Sequence, residues 1–200
     1  GTYWKQTKDG PVDAEGFIDD EHIVERISYF RGSLNDLNVS DEEKAIQIAW
    51  ILHLVGDIHM PLHNTSKITE QTPDGDRGGN SFELSDTWPW NLHAYWDGII
   101  DVANPKAEED DDFEYYLSNA EMIEQKHPKS EFNGLIDLQD SKVWNKEGKE
   151  ITMYNLYPND LEQNEQPPEA YKEMAYKVAQ KRMALSGYRM AEFLNEIFGK

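Results

Sequence analysis

The stretch AWILHLVGDIHMPLHN, residues 49 to 64, constrains this chain more than any other part of its sequence. It is typical of an apolar helix, yet His53 and Asp57 lie four residues apart and therefore share one helical face. Pro61 ends the helix, and His63 follows two residues later. Burying two titratable groups without compensation is costly. A bound metal ion removes that cost, so the stretch predicts a metal site.

A second stretch, NLHAYWDGII from residue 91 to 100, repeats this pattern. His93 and Asp97 are again four residues apart in an apolar context. One such pair is more often a surface ion pair than a metal site. Two pairs are more informative, because imidazole and carboxylate groups from two packed helices can converge on ions that lie between them. The predicted metal ligands are His53, Asp57, His63, His93 and Asp97.

The absence of cysteine and the formal charge of −20 narrow the chemistry further. Without sulfur ligands, a metal must be held by His, Asp and Glu, which favours zinc or another borderline divalent ion. The negative charge argues against a broad basic groove for nucleic acid. It is compatible with a small phosphate-handling site whose positive charge comes from bound metal. No apolar run approaches the length of a membrane span.

The remaining pattern predicts a mainly α protein, a helical bundle with a small β-hairpin or short strand segment, and its length of 200 residues predicts a single domain over 1–200. The second helix should start at Ser40, where Glu43 completes a capping box. A short strand is expected at 81–84, and 128–165 should be irregular apart from a helical turn near 137–146. Helices are expected over about 19–30 with Gly32 as a stop, 40–60, 91–103, 113–127 and 168–198.

The motifs WILHLVGDIHMPLHN, DRGGNSFEL and NLHAYWDGII together resemble the S1/P1 nuclease family, and SGYRMAEFLNEIFGK resembles that family's last helix. The resemblance extends from about residue 37 to the C-terminus. It implies the phospholipase C/P1 nuclease type of helical bundle. It also implies a zinc-dependent phosphodiesterase that hydrolyses single-stranded DNA or RNA and 3′-nucleotides through metal-activated water. A periplasmic or extracellular location follows from the same resemblance, and a monomer is favoured.

Carried over residue by residue, the resemblance implies up to three zinc ions. His53 and Asp57 would help to hold the first ion, with the Asp57 carboxylate bridging to a neighbour. His63, His93 and Asp97 would hold the second ion and leave an open position, as in catalytic zinc sites. The catalytic roles are accordingly expected of the two carboxylates, Asp57 and Asp97.

The loop DRGGN supplies the predicted substrate contacts. Arg77 is expected to contact phosphate, although a turn-stabilising role is about equally compatible with its position. Gly78 and Gly79 would let the backbone approach the substrate, and Asn80 would fix the loop. Three aromatic residues are candidates for stacking on a base: Trp88, Trp90 and Tyr95. Packing in the core is expected for most of them.

Upstream, the sequence departs from the family pattern. That pattern includes an N-terminal Trp, a His shortly after it, and a further Asp and His, whereas this chain begins GTYWKQTKDG and has no His before His22. We interpret His22 and His59 as exposed residues. An N-terminal segment is expected to be missing, and a divergent, reduced cluster is the alternative. Asn64 lies in an N-x-S/T sequon, where a glycan would crowd the predicted site.

Three other functions stay open. A zinc phospholipase C-like phosphodiesterase would share the fold, but its second pair resembles His-x-x-x-Glu, so Asp97 favours the nuclease. A metal-binding protein without catalysis is compatible with the incomplete first zinc site. A metal-free helical interaction domain leaves both His/Asp pairs unexplained.

Overall fold

A computed structural model describes residues 2–16 and 20–199 of the chain. The predicted mainly α architecture with a small β segment is confirmed. Three strands form one sheet: β1 (Thr2–Thr7), β2 (Gly10–Ala14) and β3 (Thr65–Lys67). The α-helices are α1 (Ile23–Leu34), α2 (Asp41–His59), α3 (Leu92–Asp97), α4 (Ile99–Ala103), α5 (Asp112–Lys126), α6 (Ser141–Ile151) and α7 (Glu169–Phe198).

The sheet pairs the start of the described chain with the segment that follows α2. Its strand order is β2-β1-β3, with β2 antiparallel and β3 parallel to β1. Tyr3 lies opposite Ala14 on one side and opposite Ser66 on the other. Trp4 is fully buried beneath the sheet. The hairpin expected somewhere in the chain therefore lies at residues 2–14, and the strand expected at 81–84 is reduced to one bridge between Glu83 and Asn91.

Both long helices have the predicted bounds. In α2 the Ser40 side chain accepts a hydrogen bond from the Glu43 N–H, and the Glu43 side chain accepts one from the Ser40 N–H, so the capping box is present. This helix ends at His59, directly before the Met60–Pro61 junction. The last helix starts after Pro168 and runs for 30 residues.

Other helix boundaries differ from the prediction. Asp19, the expected start of the first helix, lies outside the described residues. Gly32 does not stop that helix, which continues to Leu34. Gly98 divides the helix expected at 91–103 into α3 and α4, and the Trp88 ring occupies the space where a side chain at Gly98 would lie.

The segment 128–165 is more helical than predicted. A 3₁₀ turn covers Lys129–Phe132, and α6 continues directly into a π-helical segment at Thr152–Leu156. In α6 the apolar residues recur with helical spacing, and Trp144 is fully buried. The prediction was wrong here because the charged residues between them obscure this narrow apolar stripe.

The core is divided along α7. One cluster joins α1, α2, α6 and α7, and it includes Ile51, Ile58 and Phe193. A second cluster packs α3, α4 and the N-terminal part of α7 together, and it includes Leu92 and Trp96. The apolar face predicted for α2 is narrower than expected, because two of its residues are about half exposed: Ile46 and Leu52.

A buried ion-pair network joins α6 to α7. The Arg189 guanidinium donates two hydrogen bonds of 2.7 Å to the two carboxylate oxygens of Glu147. Arg182 donates a third, of 2.9 Å, to the same carboxylate. Both arginines are buried. Burial raises the pKa of the Glu147 carboxyl, but the hydrogen bonds and charges of Arg189 and Arg182 outweigh it, so the pKa lies below its ordinary value.

The network also holds the end of α2. His59 is buried, with Nδ1 2.8 Å from the Val55 carbonyl oxygen and Nε2 3.0 Å from Arg189 Nη1, so Nδ1 carries the proton and Nε2 accepts. Arg182 Nε donates to the His59 carbonyl oxygen. Burial and the charge of Arg182 hold the pKa of His59 well below its ordinary value. Our interpretation of His59 as an exposed residue is wrong.

A Glu147→Gln variant tests this network. Removing one partner of a buried ion pair leaves two buried guanidinium groups without a counter-charge, so the free energy of unfolding at pH 7 should fall by about 3 kcal/mol. A carboxyl with a depressed pKa stabilises the fold above its ordinary pKa of 4.5 and loses that contribution as the pH falls through its folded value. The wild type should therefore lose stability below about pH 4.5 more steeply than the variant.

Urea unfolding followed by circular dichroism between pH 3 and 7 measures both effects. Glu150→Gln is the matched control, because Glu150 lies on the same helix, is mostly exposed and is 3.8 Å from its partner Lys146. Equal stability and equal pH dependence of the two variants would contradict a stabilising role of the network.

Candidate metal centre

Three of the predicted ligands converge at the end of α2. His63 lies in the 3₁₀ turn Pro61–Asn64, while His93 and Asp97 lie on α3. One donor atom from each of the three lies within 4.8 Å of the others. Within residues 2–16 and 20–199 this is the one group of three or more His, Asp or Glu side chains close enough to share an ion.

The donor spacing of this group suits a tetrahedral ion. His63 Nε2 lies 3.3 Å from Asp97 Oδ1, and His93 Nε2 lies 3.3 Å from Asp97 Oδ2. Two ligand atoms that are each about 2.1 Å from a tetrahedral zinc ion are about 3.4 Å apart. The imidazole rings of His63 and His93 stack with their centres 4.9 Å apart. The residues present therefore fit the ion that the sequence predicts.

The other pair lies beside this group. His53 Nε2 is 3.2 Å from Asp57 Oδ2, and Asp57 Oδ1 is 3.6 Å from His63 Nδ1. The Asp57 carboxylate thus lies between two imidazoles. Exposure is larger than the apolar sequence context suggests, with 63% of the His53 side chain and 47% of the Asp97 side chain accessible to solvent. The ligands line an open cleft rather than a sealed core.

A backbone carbonyl fixes the orientation of His93. Its Nδ1 lies 2.7 Å from the Gly78 carbonyl oxygen, so Nδ1–H donates and Nε2 keeps its lone pair on the side of Asp97. Gly78 has a φ of 63°, and a Cβ there would overlap the Leu62 carbonyl oxygen. Gly79 accepts a hydrogen bond from the His93 N–H. Both glycines are buried against His93, where they position this side chain.

The two polar residues of the loop have different surroundings. Asn80 Nδ2 donates to the Arg77 carbonyl oxygen at 2.9 Å, a contact within the loop. The Arg77 N–H donates to Ser66 Oγ at 2.8 Å, and the exposed Arg77 side chain lines the cleft beside His63 and His93.

Asp76 and Tyr157, which the sequence analysis did not identify, stabilise this loop. Asp76 is buried and accepts hydrogen bonds from the Lys67 N–H at 2.9 Å and from the Ser66 hydroxyl at 3.1 Å. The Tyr157 hydroxyl donates to the other carboxylate oxygen of Asp76. Burial and the Asp76 carboxylate raise the pKa of Tyr157 well above its ordinary value. The DGD sequence signals a turn here but not its distant partner.

Asn64 holds the turn that carries His63. Its side chain is fully buried, and Nδ2 donates to the carbonyl oxygens of Ile58 and Met60 at 3.0 and 2.9 Å. These carbonyls lie at the end of α2, where the helix itself supplies no donors. The Asn64 Oδ1 accepts from Asn145 on α6. Attachment of a glycan to Nδ2 is incompatible with these contacts in the folded chain.

Three further predicted positions have mixed outcomes. Tyr95 is buried in the core as expected, but Trp88 and Trp90 are about half exposed, so core packing is wrong for these two. His22 is partly buried and caps α1, where its Nδ1 accepts a hydrogen bond from the Glu25 N–H at 3.3 Å. Our interpretation of His22 as an exposed helix residue is therefore wrong.

Within the cluster, the carboxylates shift the pKa of His63 and the imidazoles shift the pKa of Asp97. Burial lowers the pKa of His63, but the hydrogen bond and charge of Asp97 together with the charge of Asp57 raise it above its ordinary value. Burial raises the pKa of Asp97, but the hydrogen bond of His63 and the charges of His63 and His93 lower it below its ordinary value. The cluster therefore attracts positive charge, as a cation site requires.

Comparison with known families extends the similarity over nearly the whole chain. A family model described as S1/P1 Nuclease matches residues 5–199. This range includes all five predicted ligands and part of the strand β1, whereas the sequence motifs indicate a resemblance only from about residue 37. A comparison with curated protein sequences gives no match.

Replacement of Gly78 by alanine should disturb the cluster through His93. The new Cβ would overlap the Leu62 carbonyl oxygen, so the loop must move and the hydrogen bond from His93 Nδ1 should be lost. Loss of such a contact behind a ligand typically lowers metal affinity about 10-fold to 100-fold. Competition with a chromophoric chelator measures the change.

Gly134→Ala is the matched control for the strain. Gly134 also has a positive φ, of 80°, but a Cβ there has no atom within 4 Å. This variant should lose about 1 kcal/mol of stability and retain its metal affinity. If both variants bind zinc equally well, the loop does not position His93.

Proposed function

We propose, since the chain belongs to the S1/P1 nuclease family, that it is a zinc-dependent phosphodiesterase that hydrolyses single-stranded nucleic acids and 3′-nucleotides. Family membership supports a nuclease, and hence a phosphoric ester hydrolase. The single observation that supports zinc is the convergence of His63, His93 and Asp97, whose donor atoms lie within 4.8 Å of one another.

These three residues would hold the second zinc ion of the family cluster. Two imidazoles and one carboxylate match the ligand types and number of catalytic zinc sites, which keep a fourth position open. Bound zinc supplies charge that neutralises phosphate oxygens and acidifies a water ligand near neutral pH. His53 and Asp57 would contribute to the first site, and the position of the Asp57 carboxylate between His53 and His63 supports the proposed bridging role.

The chain's own side chains position the reacting groups. Gly78 holds His93 in the tautomer whose Nε2 can bind an ion. Asp97 presents one oxygen to each of the two imidazoles, 3.3 Å from each Nε2, which is the spacing of ligands that share one ion. We assign Asp57 and Asp97 the catalytic roles because Asp97 belongs to the cluster and the Asp57 carboxylate lies beside it and lines the cleft. Arg77 is the proposed contact to the phosphate, and Asn80 keeps its backbone in place.

Location and assembly follow from the family resemblance. We propose a periplasmic or extracellular site of action and a monomer. No helix in the described ranges combines the length and the apolar character needed to cross a bilayer.

A second candidate is a metal-binding protein without catalysis. The observation in its favour is that His53 and Asp57 have no third His, Asp or Glu ligand of their own among the described residues. The phospholipase C-like alternative has no comparable observation in its favour, and a phosphatidylcholine substrate in the same assay tests it.

Zinc content of the purified chain, measured by elemental analysis, tests the proposal first. We expect about one or more zinc ions per chain, and loss of one in a His93→Ala, Asp97→Ala double variant. Glu173→Ala, on the exposed side of α7, is the control and should retain the metal. Zinc-loaded protein should release phosphate from 3′-nucleotides and shorten single-stranded DNA, and the double variant should do neither.

The outcomes separate the candidates. Bound zinc without hydrolysis of either substrate favours the non-catalytic metal protein. Absence of zinc after reconstitution at neutral pH would overturn both the metal centre and the proposed function.

A further inference from the structure

A cleft of about 570 Å³ opens beside the candidate metal centre. His63, His93 and Asp57 line one part of it. The other part is lined by the beginning of α1, including His22 and Arg26. This volume lies in the range of small-ligand sites. It leaves room for more of a substrate than the phosphate group at the metal centre.

Two of the arginines are not used to stabilise the fold. Both of them line this cleft. Arg182 and Arg189 belong to the buried network, and Arg31 contacts Glu196 and Gln139 while its guanidinium lies over the Phe193 ring. Arg26 and Arg77 are the remaining arginines of the sequence. In a chain with a formal charge of −20, placing both beside a candidate phosphate-handling site concentrates cationic side chains where an anionic substrate would lie.

Arg77 occupies a backbone conformation that favours glycine. Its φ is 57°, in the left-handed region, and hydrogen bonds from its N–H to Ser66 Oγ and from Asn80 Nδ2 to its carbonyl oxygen hold it there. A non-glycine residue in this region costs about 1 kcal/mol or more. An arginine at this strained position indicates a use for its side chain, which lines the cleft.

Arg26 is held at the mouth of the cleft by its own helix. Its Nε donates to the Glu25 carboxylate, and its guanidinium carbon lies 5.0 Å from the centre of the Tyr29 ring. Contact with one carboxylate through Nε leaves the two terminal nitrogens of the guanidinium fork able to donate to an oxyanion. The guanidinium is therefore oriented in advance, and little side-chain entropy would be lost on binding a phosphate.

Three carboxylates limit the attraction of the cleft for anions, because Glu21, Asp57 and Asp74 line it together with the arginines. Within this cleft the positive charge is therefore confined to separate points, Arg26 and Arg77. This pattern suits an extended strand that places one phosphate at each point.

We propose that Arg26 binds the phosphodiester next to the one held at the metal centre, so that the cleft favours single-stranded polynucleotides over mononucleotides. Arg77 contacts the phosphate at the metal centre, and Arg26 contacts its neighbour along the strand. The inference rests on the proposed function and adds a residue that discriminates between the two substrate classes of that function. Arg26 acts in binding and positioning, not in the chemical step.

Fluorescence anisotropy of the zinc-loaded protein tests this subsite without a need for turnover. The probe is a labelled phosphorothioate oligothymidylate of eight nucleotides, titrated at several salt concentrations, and 3′-thymidylate serves as the competing mononucleotide. Arg26→Ala should weaken oligonucleotide binding about 5-fold to 10-fold and reduce the slope of log affinity against log salt by about 0.7, the value for one phosphate contact to a single strand. Its affinity for 3′-thymidylate should stay within about twofold of the wild type.

Four further variants complete the design. Arg26→Lys should retain the salt slope, and Arg77→Asn should weaken both ligands while the chain stays folded, because asparagine tolerates the left-handed conformation. Glu21→Gln should strengthen oligonucleotide binding. Lys146→Ala removes an exposed positive charge that does not line the cleft, so it controls for net charge and should change neither affinity.

The outcomes separate this inference from the proposed function. If Arg26→Ala leaves oligonucleotide affinity and salt slope unchanged, or weakens both ligands equally, the subsite is overturned even when the wild type hydrolyses nucleotides. If the Arg26-dependent binding is present but no hydrolysis occurs, the subsite stands and the enzymatic function fails. Absence of any oligonucleotide binding would overturn the subsite.

Discussion

The bidentate ion pair between Arg189 and Glu147 is the interaction on which the rest of this structure depends. It joins α7 to α6, and through Arg182 and His59 it reaches the last turn of α2. Removing charged groups from water is costly, and the mutual attraction of the charges offsets that cost only when the geometry is good. A network of this kind therefore permits few arrangements of the three helices. It fixes the orientation of α2, whose C-terminal end leads into the turn that carries His63.

The candidate ligands depend on contacts made by neutral groups behind them. The Asn64 side chain donates hydrogen bonds to the carbonyl oxygens at the end of α2. The Gly78 carbonyl oxygen accepts the hydrogen bond that orients His93. Neither residue offers an atom to the cluster itself. An imidazole binds an ion only with the correct nitrogen deprotonated and facing it, so the hydrogen bond from His93 to Gly78 contributes to the site although Gly78 is not a ligand. These contacts lie behind the candidate ligands, so the side of the cluster that faces the cleft stays open.

For ligand binding in this chain, the local arrangement of charges in the cleft matters more than the net charge. An overall charge of −20 repels a polyanion at long range, but such repulsion is screened within about 10 Å at moderate salt. Inside the cleft, guanidinium groups and the proposed cation would act at contact distance, where screening is weak. A nuclease with an acidic surface therefore gains specificity from a few placed charges and loses association rate at low salt. We propose this role for Arg26 and Arg77, which line the cleft and lie outside the buried ion-pair network.

Much of the chemistry could be predicted from the sequence because it depends on short spacings. Pairs four residues apart face one side of a helix, Ser40 and Glu43 cap their own helix, and Pro61 ends one, so these features follow from local geometry alone. Burial of His59 and Asn64 could not be predicted, because their partners Arg189 and Asn145 are far away along the chain. The sequence by itself determined which side chains can bind an ion; only the tertiary structure decided that three of them meet, because convergence depends on long-range helix packing and hydrogen bonds that no local pattern encodes.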